Sequence, residues 1–197
     1  MLHTAAYREL GLTDWTYQAI ECDEAGLPDL LRTLGPDWAG LSLTMPLKRA
    51  VLPLLDEPDK LVTVAGAANT VLLADGRMAG YNTDVPGVLT ALTAAGVRLN
   101  RPVLMLGGGA TACSALVALR RAGVTAVTVA VRNPATAGQL LAVAGLRTAT
   151  VTTLTPDWRS ATTAEQAVAP PPSISTGPSR CTPAAVSAVT MPGTSVL

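Results

Sequence analysis

Pro102-Val-Leu-Met-Leu-Gly-Gly-Gly-Ala-Thr-Ala112 leads a short, wholly apolar run into a glycine turn of the form G-x-G-x-x-A, set by Gly107, Gly109 and Ala112. An apolar run bounded by a turn suits a strand covered on both faces of a parallel sheet. The first glycine permits the tight turn, and the second lets the backbone approach a pyrophosphate. The small third residue allows close helix–strand packing. Beyond the turn, apolar spacing predicts a helix over 110–121, a strand over 126–131, a helix over 134–144 and a weaker strand over 148–154. That βαβαβ series is a doubly wound α/β pattern, in which a nucleotide sits against the first helix. Gly107, Gly108, Gly109 and Ala110 are therefore candidate phosphate contacts, since a helix N-terminus offers unsatisfied amides and a positive dipole end.

The end of the second strand tests which nucleotide. An acid there would take the ribose 2′-hydroxyl, whereas a 2′-phosphate calls for arginine. Ala130-Val-Arg-Asn133 has no acid. Arg132 can give a bidentate contact to phosphate, with Asn133 as a neutral donor. The pattern favours NADP(H).

Upstream, the residues read as mixed α/β. A short helix over 2–11 closes at Gly11, Thr16–Cys22 alternates as a strand, and 26–35 has helical spacing. Ala39–Thr44 is strand-like, and Pro46 suits the first turn of a helix reaching Leu55. Strands over 68–73 and 77–81 flank Asp75-Gly76, a hairpin signal. A further helix begins at Val85 and ends at Gly96. The chain thus divides into 1–85, 86–165 and a Pro/Ser/Thr-rich stretch, 166–197, that lacks periodicity.

Bulk composition narrows the functional classes. Of the 197 residues, 49% are hydrophobic and 14% charged, which is the balance of a folded chain. Net charge is zero without runs of one sign, so neither nucleic acid nor an acidic membrane is an expected partner. Cys22, Cys113 and Cys181 lack metal-ligand spacing, and an odd, sparse set reads as reduced thiols of a cytoplasmic protein; no metal site is expected. His3, the single histidine, has no ligand partners, and Trp15, Trp38 and Trp158 read as packing residues. Lysine occurs only as Lys48 and Lys60, against twelve arginines. A lysine amine can be tuned into the proton-transfer range where arginine cannot. Lys48 and Asp84 both lie in turn-rich polar segments and together offer a proton-transfer pair beside a nucleotide site. Taken alone, Lys48 could equally be a surface lysine and Asp84 a helix N-cap.

Gly40-Leu-Ser-Leu-Thr-Met-Pro-Leu-Lys48, Gly66-Ala-Ala-Asn-Thr70 and Gly80-Tyr-Asn-Thr-Asp84 resemble the G-x-N-V-T-x-P-x-K, G-A-x-N-T and G-x-N-T-D segments of shikimate dehydrogenases. Order and spacing continue into the glycine turn and Arg132, so the resemblance covers residues 2 to about 155. It implies two domains: a substrate-binding domain over 1–85 and a Rossmann-like NADP-binding domain over 86–165. It implies reversible reduction of 3-dehydroshikimate to shikimate by NADPH, with Lys48 exchanging the proton and Asp84 as its partner. Ser42, Thr44 and Asn69 take the positions that contact substrate hydroxyls, Ser42 standing where the family has asparagine.

Family members begin with a strand and an H-S-x-S-P loop ahead of the helix that opens here. The resemblance therefore implies a substrate-side sheet without its first strand and an incomplete nucleotide half. An uncovered edge or face of that kind predicts marginal stability, aggregation or dependence on a partner chain, of which a homodimer is one form. Two other readings stay open: a nucleotide-binding remnant without catalysis, and a quinate/shikimate dehydrogenase paralogue.

Overall fold

Strand and helix periodicities sort the chain into two sheets with helices between and around them. The computed structural model describes residues 2–133, 137–145, 148–153 and 185–190. The chain runs α1 (Leu2–Glu9), β1 (Thr16–Glu21), α2 (Leu27–Thr33), β2 (Trp38–Leu43) and α3 (Leu47–Ala50). A 3-10 turn (Leu52–Leu54) precedes β3 (Glu57–Pro58), α4 (Lys60–Ala65), β4 (Thr70–Ala74) and β5 (Arg77–Tyr81). Then come α5 (Asp84–Ala94), β6 (Val103–Leu106), α6 (Ala110–Arg121) and β7 (Ala126–Val131). Last are α7 (Ala137–Ala144), β8 (Thr148–Thr153) and β9 (Ala185–Thr190).

Local chemistry explains the sharper boundaries. Asp75 and Gly76 have φ of 52° and 73°, the paired left-handed residues that let a two-residue turn match the twist of β4 and β5. Asp59 accepts from the Val62 amide at 2.6 Å and Gly66 ends the same helix at φ 61°, so α4 is capped at both ends. Six residues gave no periodic signal, and the sequence pattern missed this helix.

The six-stranded sheet has the order β1-β9-β2-β4-β5-β3, and the three-stranded parallel sheet the order β6-β7-β8. Leu27, Leu41, Leu47, Val51, Val62 and Val71 fill the core under the first sheet. Leu116, Val127, Val129 and Leu140 fill that under the second. A smaller cluster of Ala65, Val85, Val117 and Ala118 joins α4, α5 and α6.

Two sequence expectations are corrected. The stretch 166–197 was expected to hold no element, yet β9 lies within it and is an interior strand, antiparallel to both β1 and β2. It fills the gap expected in the substrate-side sheet. Period-2 alternation in Ala-Val-Ser-Ala-Val-Thr is weak beside the surrounding prolines, and only the open slot between β1 and β2 makes it a strand. The other residues of 166–197, Trp158 and Cys181 fall outside those described. Strand β6 was expected to be covered on both faces. Val103 and Met105 pack on the core, but Leu104 and Leu106 are 52% and 50% exposed. Among the described residues no helix is long and apolar enough to cross a membrane.

Candidate active site

Three chain segments meet where β2 ends, β4 begins and α5 begins. Strands β2 and β4 pair with Ser42 opposite Thr70, and the Leu43 amide donates to the Asn69 carbonyl at 2.8 Å. Leu41 and Leu43 are buried, so strand alternation sends Ser42, and Thr44 beyond it, to the opposite face. Ser42 is half-buried and Thr44 exposed. The chain turns at Met45 and Pro46 into α3, whose Leu47 is fully buried and anchors the helix. The Lys48 carbonyl accepts from the Ala68 amide at 2.8 Å, which ties α3 to the segment carrying Asn69.

With α3 fixed in this way, Lys48 Nζ donates to Asp84 Oδ2 at 2.6 Å. The other carboxylate oxygen, Oδ1, accepts from Asn69 Nδ2 at 2.9 Å. Asn69 is itself held: Nδ2 also donates to Thr83 Oγ1 at 2.8 Å, and its Oδ1 accepts from the Thr83 amide at 3.0 Å. The side chains of Lys48 and Asp84 are 12% and 19% exposed, sheltered enough for a strong pair yet open to a ligand. An ammonium held by a carboxylate, beside neutral donors and hydroxyls, can donate a proton to an oxyanion and hold a hydroxylated ring. Asp84 does not act as an N-cap: Thr83 occupies that position, and Asp84 is the first residue of α5. Thus Lys48, Asp84 and Asn69 form one bonded group, with Ser42 and Thr44 along the adjoining strand end.

The nucleotide candidates occupy the carboxyl ends of β6 and β7. Leu106 is opposite Ala130, and the Gly107 amide donates to the Ala130 carbonyl at 2.8 Å. The glycine turn therefore lies beside the strand that ends at Val131 and leads directly to Arg132 and Asn133, both exposed. Gly107 has φ 109°, a conformation closed to most side chains. Among the described residues, a Cβ built on Gly107 or on Gly109 meets nothing within 4 Å. The N-cap of α6 is Gly109, which has no side chain to bond the first amides of the helix. A glycine turn at a helix start and a nearby arginine fit a dinucleotide bearing a 2′-phosphate.

Three residues to which the sequence reading gave no role complete the arrangement. Asn82, within the quoted Gly80–Asp84 segment, is 3% exposed and bonds Ser114 of α6, and Arg49 reaches Cys113. Nothing in their spacing signals these contacts, which join segments far apart in sequence. Two dismissals have concrete counterparts: His3 stacks on Tyr17 with ring centroids 3.9 Å apart, and Trp38 packs against the first core. A surface groove lined by Leu31, Trp38, Arg77 and Met78 contains none of the candidate residues.

The chain is similar to known proteins of one family. Residues 1–71 match the shikimate dehydrogenase substrate binding domain. A shikimate dehydrogenase (NADP(+)) of Citrifermentans bemidjiense is 44% identical over 142 residues, 68% of this chain and 47% of that protein. The crystal structure of Mycobacterium tuberculosis shikimate dehydrogenase matches with a TM-score of 0.69 at 40% identity, covering 79% of this chain and 58% of that one. The Thermus thermophilus enzyme in complex with NADP(H) and shikimate matches at 0.63 and 37% identity, covering 75% of this chain and 56% of that one. The chain spans about half the length of the curated relatives it matches.

Proposed function

The chain belongs to the shikimate dehydrogenase family, and on that premise we propose that it catalyses the NADPH-dependent, reversible reduction of 3-dehydroshikimate to shikimate. The observation that carries this reading is the Lys48–Asp84 pair at 2.6 Å, steadied by Asn69 on the second carboxylate oxygen. Residues 1–85, joined by β9, form the substrate side, and residues 86–165 the nucleotide side.

When bound, NADPH supplies the hydride. The amides at Gly108, Gly109 and Ala110 would hold its pyrophosphate, and Arg132 with Asn133 would hold the 2′-phosphate. Reduction at the ketone carbon would leave the negative charge on its oxygen, which is the atom Lys48 serves. Lys48 gives that oxygen a proton from its ammonium, and solvent later reprotonates the amine. Asp84 holds the ammonium in place until transfer. Asn69, Thr44 and Ser42 offer neutral partners to ring hydroxyls, which orient the ketone without adding charge.

The test follows NADPH absorbance with 3-dehydroshikimate, and the reverse reaction with shikimate and with quinate. Lys48→Ala is expected to lower kcat by roughly 10²–10⁴-fold, the usual share of positioned acid–base catalysis. A faster reaction with quinate than with shikimate would move the chain to the paralogue reading. NADPH binding without turnover would sink the reductase and leave a nucleotide-binding protein.

A further inference from the structure

Two consecutive residues of α6 are each held by a near neighbour of the proton-transfer pair. Arg49, the residue after Lys48, donates from Nη2 to Cys113 Sγ at 3.2 Å. Asn82, two residues before Asp84, donates from Nδ2 to Ser114 Oγ at 2.9 Å and to the Ala67 carbonyl at 2.8 Å. Its Oδ1 accepts from the Val85 amide at 3.2 Å. Asn82, Cys113 and Ser114 are all buried, at 3%, 1% and 0% exposure. The joint around them is otherwise apolar, made by Ala65, Val85, Val117 and Ala118. Apolar burial is non-directional and would tolerate small rotations of α6. A buried amide with its donors and acceptor engaged does not, because each lost bond leaves an unsatisfied polar group. Helix α6 is also the one that opens at Gly109, about one turn before Cys113.

We propose that Arg49 and Asn82 are positioning residues: a two-point clasp that fixes α6, and with it a nucleotide held at its N-terminus, at one setting relative to Lys48 and Asp84. The clasp decides whether the reactive ring of the bound cofactor arrives beside Lys48. It does not decide how tightly the phosphates are held. This rests on the nucleotide half of the preceding reading and not on the identity of the substrate.

Lys48 and Lys60 are the chain's two lysines, so acetic anhydride labelling read by mass spectrometry reports Lys48 with exposed Lys60 as internal control. In the unaltered chain, saturating NADPH is expected to slow Lys48 acetylation about tenfold, equivalent to about 1.4 kcal/mol, and to leave Lys60 unchanged. In Arg49→Met/Ser114→Ala, NADPH affinity by fluorescence titration is expected within about threefold of the parent, while protection of Lys48 falls below about twofold. Ser114→Ala alone should fall between the two, which keeps the test valid if the double variant fails to fold. Cys113→Ser retains an acceptor for Arg49 and should retain protection. Undiminished protection in the double variant overturns the clasp, as does affinity lost in step with protection, which would indicate a purely structural role. An unaltered chain that binds NADPH without protecting Lys48 overturns it too. Turnover is measured alongside. Protection that depends on the clasp without turnover sinks the reductase reading and keeps the clasp, whereas no NADPH binding sinks both.

Discussion

At the scale of single residues, the proposed preference for NADPH turns on Arg132. It follows β7 directly, is exposed, and stands next to the strand whose end carries the glycine turn. A charge-assisted bond to phosphate contributes about 1.5–3 kcal/mol, which is roughly tenfold to a hundredfold in affinity. Arg132→Ala is expected to weaken NADPH binding by that factor and to leave NADH binding within about twofold, since NADH lacks the phosphate. Titration of each nucleotide by fluorescence checks it, and equal losses for both would remove Arg132 from this role. The residues of this site divide by how they could be read. Lys48, Asp84 and Asn69 could be singled out because they stand in segments that resemble a family's motifs; residue chemistry alone left Lys48 a surface lysine and Asp84 an N-cap as equal readings. Asn82–Ser114 and Arg49–Cys113 could not, because both contacts depend on how α6 packs, which no local pattern states.

At the scale of elements, close approach of strands sets stronger limits than propensity. A Cβ on Gly40 would lie well inside van der Waals contact distance of the Val71 carbonyl oxygen, a backbone atom of the paired strand β4. Backbone cannot yield without breaking the register that sets Ser42 opposite Thr70. Gly40→Ala is therefore expected to cost about 1–3 kcal/mol, the range for overpacking. A Cβ on Gly80 instead meets the methyl groups of Leu55, the far end of a flexible side chain. Gly80→Ala should cost less than about 1 kcal/mol, because Leu55 can change rotamer. Urea denaturation of both variants separates the cases, and equal costs would contradict the argument. The Asp75-Gly76 hairpin, the α5 and α6 helices and the parallel strands were legible because their turn residues and periodicity agree with the final packing. Helix α4 was not, since its stability comes from the Asp59 and Gly66 caps over only six residues. The partial exposure of β6 was not legible either, for an apolar run states what a strand can bury and not what covers it.

At the scale of the whole molecule, the six-stranded sheet is completed by β9, far along the chain from the strands it joins. Thr16 of β1 and Trp38 of β2 both pair with Thr190 of β9. Without β9 the two strands would face each other across an empty interior position, each with a row of unpaired amides and carbonyls. The candidate site depends on that closure, because β2 carries Ser42 and leads into Thr44 and Lys48. Such pairing has very high sequence separation, so β1 and β2 are expected to gain protection late in folding, after the parallel sheet with its more local contacts. Ser187 sits opposite Ala19 on one side and Ser42 on the other. Proline is excluded from interior strands because it cannot donate to the ladder and its ring restricts the backbone. Ser187→Pro should therefore abolish slow hydrogen exchange in β1 and β2 while sparing β7, and Ser187→Ala, which keeps the amide, should leave both intact. Unchanged protection of β1 and β2 in the proline variant would show that β9 does not close this sheet in solution.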